Sequence, residues 1–180
     1  MSTALWLGGT NNLYNVGSNW AGSAVPTTTA IFSTFGPKNI VFSAAATVGG
    51  WEFAANETYI FIIPTGNSLT FNGAGIAVQQ GSVAISNEWG LSFRNSSTAG
   101  DSVISNIAGG LTNFYDRSTA GHATIYNTGG GIGGAISFRN GSTAGDSTIH
   151  NTGAGVLRFF DNSTGGRAAL VNTSGSGDFS

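Results

Sequence analysis

One phrase is written four times in this chain: FRNSSTAGDSVISNIAGG from Phe93, FYDRSTAGHATIYNTGGG from Phe114, FRNGSTAGDSTIHNTGAG from Phe138 and FFDNSTGGRAALVNTSGS from Phe159. The opening phenylalanines, the turns that start at Ser97, Ser118, Ser142 and Ser163, and the closing Asn106, Asn127, Asn151 and Asn172 all advance by 21, 24 and 21 residues. The longer middle step lies in a single glycine turn, TGGGIGGA, directly after Asn127. An insertion confined to one turn, with the strands unchanged, marks a stacked repeat.

Each copy reads apolar-x-Phe, a turn, a second alternating segment and a glycine turn. In the second segment a small residue, the aliphatic residue (Ile104, Ile125, Ile149 or Leu170) and the asparagine share one face. Val103, Thr124, Thr148 and Ala169 share the other. Period two with one apolar face specifies strands buried on one side. A single copy cannot bury its own Phe and Ile, but equivalent copies stacked about 4.8 Å apart as parallel, in-register strands can. The expected fold is all-β: a single-stranded parallel β-helix, or β-solenoid, with rungs of roughly 21 residues. The general preference for right-handed crossovers sets its expected hand. Stacked asparagines at a tight bend can donate to carbonyls of the next rung, so Asn106, Asn127, Asn151 and Asn172 are expected to form a structural ladder. Asn95, Asp116, Asn140 and Asp161, two after each Phe, suggest Asx turns.

Composition agrees. Glycine or proline interrupts nearly every window of a dozen residues, and Thr, Ile, Val and Phe dominate between the interruptions, so no helix is announced. The run WEFAANETYIFII (51–63) alternates as two strands around an Asn-Glu turn. Charged residues make up only 8% of the chain, the net charge is −2, and six Lys/Arg are spread along it with no basic patch, so nucleic acid is not an expected partner. The absence of cysteine excludes a disulfide framework and a thiolate metal site. No stretch is long and apolar enough to insert in a membrane, and the opening MSTALWLGG lacks the basic start and apolar run of a signal peptide. The leader of an exported parent is therefore expected to be missing here.

One domain over 1–180 is expected. Residues 1–35 cap the first rung. Residues 36–90 form irregular rungs around Ile40/Phe42, Trp51/Phe53, Tyr59/Phe61 and Leu69/Phe71, and 91–180 form the regular repeats. The pattern Phe-x-[ND]-x-S-T-[AG]-G-x-[SA]-x-[IL]-x-N resembles the passenger-associated strand repeat of bacterial autotransporters. The stretch NVGSNWAGSAVPTTTAIF is similar to the opening of many such passengers. That resemblance implies a parallel β-helix passenger secreted through an outer-membrane β-barrel translocator in the parent protein, and hence an extracellular or cell-surface location. This chain shows neither leader nor barrel and stops at Asp178-Phe179-Ser180, so it is expected to be a fragment or a truncated relative.

The residue eight after each Phe gives an outward row, Asp101, His122, Asp146 and Arg167, about 5 Å apart on successive rungs. Asp101 and Asp146 flanking His122 could make an acid/base or metal constellation. Alternation of sign that keeps like charges from stacking is the simpler reading and is preferred. His150 lies on another outward row, level with Tyr126. Asp116 and Asp161 share a row, but Asn140 stands between them, so a paired-carboxylate hydrolase is weakly supported. Gly129, Gly131 and Gly134 match G-x-G-x-x-G without a crossover helix to follow. The N-x-[ST] sites at Asn56, Asn95, Asn140, Asn162 and Asn172 reflect composition, and SGSGD lacks calcium-repeat spacing. No catalytic, cofactor or metal residue is expected. The expected function is a structural or adhesive β-solenoid, a stalk or scaffold and not an enzyme, with a host surface, a glycan or end-to-end copies of itself as partners. The alternatives are a polysaccharide-binding or -cleaving β-helix, a fibre-forming solenoid, and an ice- or surface-binding solenoid using Thr98, Thr119, Thr143 and Thr164.

Overall fold

The computed structural model describes residues 2–129 and 133–173. Part of the long glycine turn, including Gly131, and the terminal residues with SGSGD lie outside the described residues. The chain winds into a parallel β-solenoid of about 8 turns, with rungs of about 22 residues. Its strands are β1 (Thr3–Leu5), β2 (Thr29–Phe32), β3 (Asn39–Val41), β4 (Ala46–Phe53), β5 (Thr58–Ile63), β6 (Ser68–Val78), β7 (Ser82–Asn87) and β8 (Gly90–Phe93). They continue as β9 (Val103–Asn106), β10 (Leu111–Phe114), β11 (Thr124–Gly129), β12 (Ala135–Phe138), β13 (Thr148–Gly153), β14 (Val156–Phe159) and β15 (Ala169–Thr173). β1 and the even-numbered strands form one eight-stranded sheet; β3 and the later odd-numbered strands form a seven-stranded one. A third line of parallel bridges joins Gly75, Thr98, Thr119, Thr143 and Thr164. The expected strands around 51–63 are β4 and β5, with Asn56 and Glu57 between them.

Parallel in-register pairing sets each residue on its repeat-mate. Phe71, Phe93, Phe114, Phe138 and Phe159 form a column with ring centroids 4.7–5.0 Å apart and planes within 13° of parallel. That is the strand spacing of a sheet transferred to the side chains. Ile85, Ile104, Ile125 and Ile149 stack likewise and are fully buried.

The corners are turned by backbone chemistry. Asn95, Asp116, Asn140 and Asp161 adopt positive φ of 57–61°, and the N–H two residues on closes a tight turn onto the carbonyl of the residue before: Ser97 to Arg94, Ser118 to Tyr115, Ser142 to Arg139, Ser163 to Phe160. That N–H is thus unavailable for the expected Asx turn. The polar side chains bond between rungs instead. Asn95 N–H donates to Asp116 Oδ2 at 2.8 Å and Asn140 N–H donates to Asp161 Oδ2 at 3.0 Å. At the next corner Gly100, Gly121, Gly145 and Gly166 hold positive φ, and Thr98, Thr119 and Thr143 Oγ1 accept from the first three of these glycine N–H groups at 2.9–3.0 Å.

The asparagine ladder runs as expected through Asn106, Asn127 and Asn151, all fully buried, and begins one rung earlier at Asn87. Nδ2 of Asn87, Asn106 and Asn127 donates to Oδ1 of the next asparagine at 2.9, 3.3 and 2.7 Å. The same amides donate to the carbonyls of Leu111, Ala135 and Val156, the first residues of β10, β12 and β14 on the following rung. Thr112, the polar member of the column Leu91, Thr112, Ile136 and Leu157, is buried because its hydroxyl donates to Asn106 Oδ1 at 2.7 Å.

The space filled at one inner position tapers along the axis, from a wide end at Trp51 to a narrow end at alanine. Trp51 pairs with Ile76, and counting on from the bridged Gly75 and Thr98 the same inner position becomes Ala99, then Ala120 and Ala144. At the wide end Trp6, Tyr14 and Trp20 are buried against Phe32, Phe42 and Trp51, with the Trp6 and Trp20 rings edge-on at 5.0 Å. The loop that carries them is tied by buried Asn19, whose Oδ1 accepts from Thr10 and Asn11 and whose Nδ2 donates to Asn11 Oδ1 and Leu13 O.

Substituting Asn127→Ala removes the acceptor for Asn106 Nδ2 and the donor to Asn151 Oδ1, and takes one of its two donors from the Gly134 carbonyl. The expected loss in urea denaturation is about 2–4 kcal/mol. Thr128→Ala, which removes one hydrogen bond at an exposed position, should cost no more than about 1 kcal/mol. Equal losses would show that the ladder does not stabilise the fold.

Candidate functional site

The outward row is built by the second corner. Asp101, His122, Asp146 and Arg167 each follow a left-handed glycine and stand on the outside of the bend. Their backbones are held in register by hydrogen bonds from His122 N–H to Gly100 O, Asp146 N–H to Gly121 O and Arg167 N–H to Gly145 O. The row therefore stacks as the spacing predicts. His122 Nδ1 lies 3.6 Å from Asp101 Oδ1, and His122 Nε2 lies 3.9 Å from Asp146 Oδ2. Arg167 forms a two-pronged pair with Asp146, Nε to Oδ1 at 2.7 Å and Nη2 to Oδ2 at 3.2 Å.

This geometry favours alternation of charge over a reaction centre. The two imidazole nitrogens face different carboxylates on opposite rungs, so the three groups do not converge on one point where a metal or a reacting atom would sit. Among the described residues no three His, Cys, Asp or Glu side chains are grouped to hold a metal ion. The row also lies on a convex corner, with the His122 side chain 69% exposed and Asp101 64% exposed. The hydrogen bonds from Arg167 hold the Asp146 carboxyl below its ordinary value, with the positive field of Arg167 and His122 adding to the effect, and Asp146 raises Arg167 in return.

The other sequence candidates are also placed. Asp116 and Asp161 act as rung-to-rung acceptors, with Asn140 between them donating to Asp116 Oδ1 at 3.4 Å. His150 stacks on Tyr126, ring centroids 4.9 Å apart and planes 13° from parallel. In the threonine row the hydroxyls of Thr98, Thr119 and Thr143 accept from glycine N–H groups at the corner, and Thr164 donates to Thr143 Oγ1 at 3.1 Å. Gly134 is a packing residue, since a Cβ there would sit 2.6 Å from Asn127 Oδ1. A shallow groove lies at the wide end between Thr27, Thr28, Thr47, Gly49, Asn72 and Gly73, lined by hydroxyls, one amide and backbone, without a titratable group.

Sequence reading missed one column. The residue directly after each repeat Phe is Arg94, Tyr115, Arg139 and Phe160, and the Arg94 guanidinium lies over the Tyr115 ring at 4.3 Å and that of Arg139 over the Phe160 ring at 4.0 Å. The signal was available: cation and aromatic alternate there at the repeat spacing.

Replacing Arg167 by Gln should raise the Asp146 pKa toward the ordinary carboxylate value, read from its side-chain NMR shift against pH. In the parent protein the Asp146 pair is fully formed above the ordinary carboxylate range and is lost as pH falls through the depressed value. An unchanged Asp146 titration would mean that the pair is not formed in solution.

In comparisons with known proteins, no family model, no curated protein and no solved structure matches this chain.

Proposed function

We propose that this chain is a structural segment, the stalk or scaffold of a secreted or surface-displayed bacterial autotransporter passenger. The observation that carries the reading is the allocation of side chains in the regular repeat. The inward rows are ladders or corner staples, and the outward Asp101–Arg167 row is joined rung to rung by ion pairs. The repeat motif quoted above supports the passenger assignment and, with it, an extracellular or cell-surface location.

In this reading the mechanism is mechanical and presentational. Each rung needs its neighbour to bury Phe and Asn, so folding propagates from a formed rung to the next. Such stepwise folding outside the cell could draw the chain outward without a nucleotide fuel, and the finished shaft holds its faces away from the membrane.

The test is to insert the chain between a bacterial export leader and an outer-membrane β-barrel translocator and to measure surface display by protease accessibility in intact cells. Efficient display of folded protein is expected, and its replacement by a variant with Asn127→Ala and Phe114→Ala should reduce the folded fraction at the surface. Retention of the folded wild-type chain in the periplasm would overturn the passenger reading. A panel of neutral and acidic glycans should yield no new reducing ends; cleavage abolished by Asp101→Asn, His122→Gln or Asp146→Asn would replace the scaffold reading by an enzymatic one.

A further inference from the structure

The even scatter of basic residues along the sequence is not an even scatter in space. Arg94, Arg117, Arg139 and Arg158, four of the chain's six Lys/Arg, are separated by 23, 22 and 19 residues, close to the rung length, and the winding brings them to one side of the solenoid. Arg94 and Arg139 stand two rungs apart in one column, about 9.6 Å at strand spacing, with Tyr115 on the rung between them and Phe160 on the rung after. Arg158, in register with Ser137, lies on the less buried side of β14, two residues before Phe160, which follows the strand. Arg117 lies just past the Asp116 corner, with its Cγ 3.9 Å from where a Cβ on Gly141 of the next rung would be.

Three properties of this strip point to a ligand. First, among the described residues no carboxylate is within ion-pair distance of any of the four arginines. The two carboxylates nearby, Asp116 and Asp161, accept from the backbone N–H groups of Asn95 and Asn140. Second, the Arg94 and Arg139 guanidinium groups are seated over aromatic rings at 4.3 and 4.0 Å, which holds each cation on the column while none of its N–H donors is taken by a carboxylate. Third, the charges recur along the solenoid axis, which suits an extended polymer with regularly spaced anionic groups better than a small molecule.

We propose that the column Arg94, Tyr115, Arg139 and Phe160, flanked by Arg117 and Arg158, binds a linear acidic polysaccharide lying along the solenoid axis. Carboxylate or sulfate groups on the sugar would meet the guanidinium edges, and the ring edges would contact the sugar faces. Nucleic acid is the weaker fit: four cations are few for a phosphate backbone, and the ring faces a base would stack on are partly covered by guanidinium. The proposal is independent of the scaffold reading, because a shaft that binds no polymer would still display in the export assay.

The test uses the whole chain and four probes: heparin as a sulfated polymer, polygalacturonate as a uronate polymer, dextran as a neutral one, and a single-stranded oligonucleotide. Binding is followed by fluorescence anisotropy at several salt concentrations. The wild type should bind heparin, polygalacturonate or both, with dextran silent, and which acidic polymer is preferred identifies the anionic group. The variant R94Q/R139Q should bind about tenfold or more weakly and show a shallower salt dependence, R94K/R139K should fall between, and R167Q, on another face, should match wild type. If R94Q/R139Q loses its β-sheet circular dichroism, R117Q/R158Q, which removes no ring stacking, serves with the same expectations. Failure of the wild type to bind either acidic polymer at low salt overturns the proposal. Equal weakening by R167Q does so too, as diffuse charge, and so does oligonucleotide binding of similar strength through the same arginines.

Discussion

The structure depends on stacking like on like at the spacing of a parallel sheet. A rung of about 22 residues is far too short to enclose a core. Once neighbouring rungs pair in register, the Phe rings stack with centroids 4.7–4.8 Å apart, and the buried Asn106 and Asn127 each find an acceptor on one neighbouring rung and a donor on the other. A buried amide that lacked either neighbour would carry the desolvation cost of an unmatched polar group. The asparagine ladder thus works only as a ladder, and it ties the closing bend of each turn to the sheet strand of the turn that follows.

The same register governs the outside. Any outward position becomes a column with strand spacing, so a repeat that placed one charge there would stack like charges a few ångströms apart. Two columns avoid this in different ways. The second corner alternates Asp, His, Asp and Arg and joins them in pairs, whereas the position after Phe alternates Arg with an aromatic ring. The first solution is internally neutralised. The second leaves positive charge directed at solvent, which is why it carries the inference about a ligand.

Much of this was legible in the sequence because the repeat is nearly strict. The coincident steps of Phe, Ser and Asn specified parallel stacking, and period two within each segment specified which residues face inward. Asn87 was missed because no Phe-x-[ND]-x-S-T phrase precedes it; its rung has the ladder residue without the motif. The Asx turns were misjudged because sequence shows the polar residue at a bend but not which N–H the backbone turn has already used. The arginine strip was hidden for a different reason. Charge clustering was judged along the chain, and winding at 19 to 24 residues converts sparse charges into neighbours. The taper is a property of unlike rungs aligned by a bridge at Gly75, a position that no local pattern marks.

That taper makes the solenoid unequal under load. Where Trp51 and its aromatic neighbours fill the interior, removing one rung exposes large rings to water. At the other end the same position holds alanine. Under a pull applied across the molecule, rungs that enclose alanine at this position would therefore release before those that enclose Trp51 and its neighbours. Each release would add about 75 Å of extended chain, so the solenoid would lengthen in steps under a tension that rises as the aromatic rungs are reached.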